Sequence, residues 1–175
     1  MGLFKKVNAV HGIMAIVLVM LTGFSACGIY SFTGASIPPE AKSVSVMYFP
    51  NQALLVEPTL SSIFTDALRN KFTSQTNLTM LERNGDLALT GAIVDYKTTP
   101  EAIQADQTAA QNRLTITVSV QFTNKFEPDK DFDTKFTQFT VFASTSDYNS
   151  VKSELIDQIS EMLAEDIFNK AVINW

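Results

Sequence analysis

Apolar and polar residues alternate without a break over residues 114–123: Leu114, Ile116, Val118, Val120 and Phe122 against Thr115, Thr117, Ser119, Gln121 and Thr123. A period of two over this length predicts a half-buried strand with one core face and one hydroxyl and amide stripe. Residues 43–49 alternate Val44, Val46 and Tyr48 with Ser43, Ser45 and Met47 before the turn at Pro50 and Asn51, predicting a second strand. A short strand over 78–81, a turn at Asn84 and Gly85, and a longer strand over 87–97 follow, Gly91 within it suggesting a bulge or the close approach of a helix. The acidic stretch 124–134 reads as a turn and 135–144 as the returning strand of an antiparallel hairpin. Residues 98–111 are polar, alanine-rich and weakly patterned, which predicts a long mobile connection.

Helical spacing appears twice. After Pro58, taken as a first-turn proline, Leu60, Ile63, Phe64, Ala67, Leu68 and Phe72 share one face, with Arg69 and Lys71 toward the far end. Over residues 150–173, Val151, Leu155, Ile156, Ile159, Met162, Leu163 and Ile167 lie opposite Glu154, Asp157, Glu161 and Glu165. Each helix has a single apolar stripe to bury. The order therefore predicts an α+β two-layer sandwich, a mainly antiparallel sheet with two helices packed on one face. The threonine-rich face is left without a cover.

The chain opens differently. Lys5 and Lys6 precede an apolar run over residues 13–21, and Phe24-Ser25-Ala26-Cys27 closes it, the arrangement of an export signal. Nine strictly apolar residues fall short of the ~20 that a membrane-spanning helix needs. Small residues directly before Cys27 resemble the lipobox of bacterial lipoproteins, in which that cysteine becomes acylated; Phe24 stands where an aliphatic residue is usual. An ordinary signal followed by a stray thiol is the plainer alternative, but a free cysteine in an oxidising compartment is a liability. Three domains of organisation result: a signal over 1–26, a lipid-anchored extended arm over 27–42, in which Gly34, Pro38 and Pro39 punctuate Ile29, Tyr30 and Phe32, and an α+β domain over 43–175.

Composition narrows the chemistry. With 46% hydrophobic and 18% charged residues the chain is of ordinary globular make-up, and a net charge of −5 without a basic cluster beyond Lys6 argues against nucleic-acid binding. Loss of residues 1–26 removes the only histidine and leaves eleven basic against eighteen acidic side chains, a net charge of −7. With Cys27 acylated, neither an imidazole nor a free thiol remains for nucleophilic, redox or zinc chemistry. No cofactor is implied.

What remains is weak as catalysis. Glu127, Asp129, Asp131 and Asp133 are spaced like the start of a calcium loop, but Thr134 stands where such a loop needs glycine and Thr140 where it needs glutamate, so a solvated hairpin turn is the better reading and no metal site is assigned. Asp95 with Tyr96 and Asp147 with Tyr148 lack an accompanying nucleophile; Asp147, Asn149 and Ser150 are placed to cap the last helix. The stripe Thr115, Thr117, Ser119, Gln121 and Thr123 is either a solvated antiparallel face or a neutral docking surface suited to the polar interior of a membrane β-barrel.

Several stretches together resemble the LptE family of outer-membrane lipoproteins that act in lipopolysaccharide assembly. They are Cys27-Gly28-Ile29-Tyr30-Ser31-Phe32, Tyr48-Phe49-Pro50-Asn51, Pro58-Thr59-Leu60 with Phe64, Leu68 and Phe72, the strand over 87–96 with Gly91 and Ile93, and Asn112-Arg113-Leu114-Thr115-Ile116. Order and spacing carry the likeness, which covers nearly all of residues 27–173. The resemblance implies a non-enzymatic, lipid-anchored outer-membrane subunit. Such a subunit plugs the lumen of an LptD-type β-barrel, helps it assemble, and assists lipopolysaccharide delivery to the outer leaflet. It also implies lipopolysaccharide contact through basic residues, for which Arg113, Lys125, Lys130 and Lys135 are the candidates although the net charge of −7 opposes a general anion-binding surface. Two other classes remain open: a lipid-anchored module for a different periplasmic or surface partner, and a carboxylate-based hydrolase.

Overall fold

The computed structural model describes residues 37–101 and 110–172; the signal segment, Cys27 and the arm as far as residue 36 lie outside them. Strands β1 (Ser43–Val46), β2 (Thr79–Leu81), β3 (Leu87–Glu101), β4 (Gln111–Asn124) and β5 (Phe132–Ala143) form one sheet in the order β2-β1-β3-β4-β5. Helix α1 (Leu60–Gln75) connects β1 to β2, and α2 (Tyr148–Val172) ends the described chain. Both helices contact one another and supply the buried stripes Leu60, Phe64, Leu68 and Phe72 and Ile156, Ile159, Leu163 and Ile167. Between them and the sheet lies a single core with Val44, Val46, Leu89, Ile93, Leu114, Ile116, Val118, Val120 and Phe122. The α+β architecture is the one expected from the patterning.

The sheet is mixed. The long pairings β3 with β4 and β4 with β5 are antiparallel, whereas β1 runs parallel to both of its neighbours. A parallel pair needs a crossover, and α1 provides it between β1 and β2. The second connection, from β2 to β3, takes a different route: residues 82–86 pass directly over β1, where the Gly85 N–H donates to Ser45 Oγ (3.1 Å) and any Cβ on Gly85 would fall 2.5 Å from the Ser45 nitrogen. Asn84, with φ of 57°, turns the chain into that crossing. Asp86 then fastens it, its Oδ2 accepting from the Lys42 and Ser43 N–H groups (3.0 and 3.2 Å) and from Ser43 Oγ (2.9 Å).

Several boundaries differ from expectation, each for a physical reason. Regular pairing in β1 stops at Val46, although Met47 still donates to the Leu89 carbonyl (3.0 Å), because β2 ends opposite Ser45 and leaves the strand with one neighbour. Pro58 precedes α1 and Thr59 is its N-cap, so the proline lies outside the first turn. Arg69 does not serve the helix end: its Nε and Nη2 donate to the Val46 carbonyl (3.2 and 3.0 Å), taking the place of the missing strand partner. The two ends of the expected mobile connection are sheet, since residues 98–101 pair with 111–114, and residues 102–109 lie outside the described residues. Local polarity misleads there because a projecting hairpin is satisfied by its backbone ladder rather than by burial. The register break is at Ile93 and Asp95, not at Gly91.

The acidic turn is compact. Pro128–Lys130 form a 3-10 turn, Asp131 Oδ1 accepts the Asn124 N–H (2.7 Å), and Glu127 pairs with Lys130 (2.9 Å). Glu127 and Asp131 are thus engaged with protein groups. Asp147 caps α2 as expected, its Oδ1 accepting from the Asn149 N–H (3.2 Å).

Candidate functional site

The alternation of β4 is realised in space. Leu114, Ile116, Val118, Val120 and Phe122 are buried, while Thr115, Thr117 and Ser119 are half-exposed and Gln121 and Thr123 exposed on the face that no helix covers. Register extends this stripe sideways. On β3 the same face carries Thr90, Ala92, Asp95 and Lys97; on β5 it carries Asp133, Lys135, Thr137, Phe139 and Val141. Thr117 and Thr137 share a hydroxyl–hydroxyl bond (2.9 Å), Thr90 donates weakly to Gln121 Oε1 (3.4 Å), and Lys97 pairs with Asp95 (2.6 Å). With Asp95 and Asp133 balanced by Lys97 and Lys135, the face carries no net charge.

One end of that surface is of another kind, and sequence reasoning missed it. Phe139 and Val141 are exposed, and the Arg113 guanidinium lies 4.0 Å from the Phe139 ring centroid while making two 2.6 Å bonds to Glu101. Arg113 holds the Glu101 carboxyl below its usual range, and Glu101 in turn raises Arg113. Aromatic and arginine side chains fixed in this way are typical anchors of protein interfaces. The missing signal is the lack of alternation in β5, where Phe136 and Phe142 point inward together with Gln138 and Thr140, and Phe139 and Val141 point out. Partners for the two inward polar groups come from α2: Asp166 accepts from Gln138 Nε2 (2.6 Å) and Gln158 from Thr140 Oγ1 (3.1 Å).

The expected basic residues do not converge. Arg113 is paired with Glu101, Lys130 with Glu127, and Lys125 lies 3.6 Å from Asp86, with Lys135 isolated on the outer face of β5. Tyr96 and Tyr148 do meet, hydroxyl to hydroxyl, and burial followed by that bond pushes the Tyr96 phenol far up, so it stays protonated and serves as a strut between β3 and the start of α2. Beside them Glu57 accepts from Lys152 (2.7 Å) and Thr59 (3.0 Å). These groups join elements.

The comparisons with known proteins bear on the same span. A family model described as LptE, Lipopolysaccharide-assembly, matches residues 41–171. The chain belongs to the LptE family. Membership assigns it to lipopolysaccharide assembly and to the envelope lipoproteins, a non-enzymatic class. No curated protein matches the chain. Among solved structures it is similar to a minor lipoprotein from Acinetobacter baumannii, at 15% identity and a TM-score of 0.46 over 70% of this chain and 91% of that one. It is also similar to PelC, a dodecamer from Paraburkholderia phytofirmans (13%, 0.41, 74% and 93%). A third is lipoprotein B from Nitrosomonas europaea (10%, 0.41, 78% and 83%). Among the described residues of this LptE-family chain, no helix is long and apolar enough to cross a membrane.

Proposed function

We propose that this LptE-family protein is an outer-membrane lipoprotein, anchored through acylated Cys27. Its domain plugs and helps assemble an LptD-type β-barrel for the insertion of lipopolysaccharide into the outer leaflet. The uncovered face of β3, β4 and β5 is the observation that carries the reading. Both helices spend their apolar stripes on the opposite side, and hydroxyl and amide groups can exchange water for bonds to a polar lumen at little net cost. Thr115, Thr117, Ser119, Gln121 and Thr123 form the centre of the docking surface. Phe139, Val141 and Arg113 are its anchor, an apolar end where the guanidinium lies over the Phe139 ring and is paired with Glu101.

The test is a double substitution, Thr117→Arg with Ser119→Glu, in the full-length lipoprotein. Both positions face away from the core, so the fold should survive. Recovery of the barrel protein from detergent extracts should drop and the outer membrane should become more permeable to bulky antibiotics. A folded double variant that co-purifies with the barrel at wild-type yield and leaves permeability unchanged refutes this face as the docking surface. Capture of a different envelope protein, lost in the same variant, would instead favour a lipid-anchored module for another partner.

A further inference from the structure

The sheet has a gap where β2 stops. β2 ends at Leu81, opposite Ser45, whereas the β1 chain runs on, with Met47 still donating to the Leu89 carbonyl (3.0 Å) on the β3 side. Main-chain groups of successive strand residues point to alternate sides, so those of Val46 and Tyr48 face the place that a longer β2 would fill. Arg69 satisfies the Val46 carbonyl through Nε and Nη2 (3.2 and 3.0 Å). The Tyr48 N–H makes no hydrogen bond among the described residues.

A cavity of about 450 Å³ occupies this place. Met47 and Tyr48 form its long side and Met80 and Leu81 its end. Strand neighbours turn to opposite faces, so each pair supplies a wall above and below the plane of the sheet. Two of these walls are open to a partner, Tyr48 being 56% exposed and Leu81 39%. The charged lining is Arg69 and Arg83 against Glu82, a local excess of one positive charge on a chain whose net charge is −5. Arg83 is exposed and makes no ion pair among the described residues, and Arg69 Nη1 stays 3.7 Å from Asp66, beyond a hydrogen bond. Donors therefore prevail: the Tyr48 N–H, Arg69 Nη1 and the Arg83 guanidinium.

We propose that the gap receives an extended, carboxylate-bearing segment of the protein partner, which continues the sheet along β1 from the point where β2 stops. The inference rests on the preceding reading only for the identity of that partner, the barrel protein. An added main chain supplies a carbonyl for the Tyr48 N–H, and an acidic side chain meets Arg83 in the paired geometry that guanidinium and carboxylate share. Side chains of the added segment alternate between the two faces and lie against Met47 and Leu81 on one or Tyr48 and Met80 on the other. A compact anion matches the cations but leaves the strand edge and the apolar walls unused. The acidic majority elsewhere on the chain repels such a segment, which directs it to this place.

The experiment is photocrosslinking of the full-length lipoprotein in intact cells, with p-benzoylphenylalanine in place of Tyr48 or, separately, of Thr117. Both side chains reach solvent, so the fold is spared. Irradiation should join the probe at Tyr48 to the barrel protein, and mass spectrometry should place the joined residue in a stretch that contains Asp or Glu. Arg83→Glu should cut the yield at Tyr48 about tenfold and leave the melting temperature unchanged, whereas Arg83→Lys should keep most of it. A probe at Tyr48 that joins no protein, or joins lipid instead, overturns the proposal, as does a yield indifferent to Arg83→Glu. If the probe at Thr117 still reaches the barrel in that case, the plug reading stands without this one. If only the probe at Tyr48 reaches it, and with the Arg83 dependence, the strand contact stands and the plug face fails.

Discussion

Gly91 shows how little room the sheet leaves at one residue. A Cβ there would lie 2.0 Å from the Ser119 carbonyl oxygen and 2.7 Å from the Phe49 ring, and the first of these is backbone that cannot step aside. Gly91→Ala should therefore destabilise the domain by about 1–3 kcal/mol, the usual cost of forced overpacking, read as a lower urea midpoint. Asp86 gives the residue scale a pH dependence. Bonds from the Lys42 backbone, and next from the Ser43 hydroxyl, hold its carboxyl below the ordinary value of 3.8. A depressed acid contributes stability that is complete above its unfolded pKa and fades as pH falls through the folded one. Asp86→Asn should thus lower the melting temperature at pH 7, and the gap from wild type should close as pH drops below about 3.8. A gap that is constant from pH 7 to 2 would remove the charge from the explanation.

At the scale of elements, legibility followed the environment of each segment. β4 was readable because it is a central strand with a core on one side and no cover on the other, which is the condition for clean alternation. β5 was not, because it is the sheet edge under the margin of α2, where Gln138 and Thr140 can point inward and be satisfied by Asp166 and Gln158. The polar stripe is therefore legible on β4 while the aromatic end on β5 is not. The crossing of Gly85 over β1 left no trace beyond a glycine in a turn, since a backbone contact with Ser45 depends on pairing that is remote in sequence. α2 contains a comparable surprise in Ser160, fully buried with its hydroxyl unpartnered. Removing a polar group that makes no bond relieves its desolvation, so Ser160→Ala should raise stability by about 1 kcal/mol in thermal or urea unfolding. A loss instead would mean that the hydroxyl has a partner, such as a bound water.

For the whole molecule, the arm and the domain are expected to be separable in function. Mass spectrometry of membrane-extracted protein should find Cys27 acylated at a new N-terminus, and Cys27→Ala should release a domain that still folds, because among the described residues the buried core begins at Ala41. Gly28 follows the cysteine where aspartate is the best-known signal for retention in the inner membrane, so wild-type protein should fractionate with outer-membrane markers. Gly28→Asp should move it to the inner membrane while leaving its melting temperature unchanged. An unmodified Cys27 thiol in the mature protein would undo the anchor, and with it the sorting argument.

The position of β1 between two later strands also governs how the chain must be made. Synthesis delivers the N-terminus first, so Val44, Val46 and Phe49 emerge well before the residues 87–89 that pair with β1 on its inner side. By contrast β3, β4 and β5 form a meander whose contacts are nearer in sequence, and such contacts close sooner. The first strand to appear is therefore expected to be the last enclosed, its apolar residues exposed in the interval. Chains stalled after residue 81 should be cut by chymotrypsin at Phe49, whereas chains complete through residue 172 should resist cleavage there. Protection of the stalled chain would mean that β1, α1 and β2 close on their own.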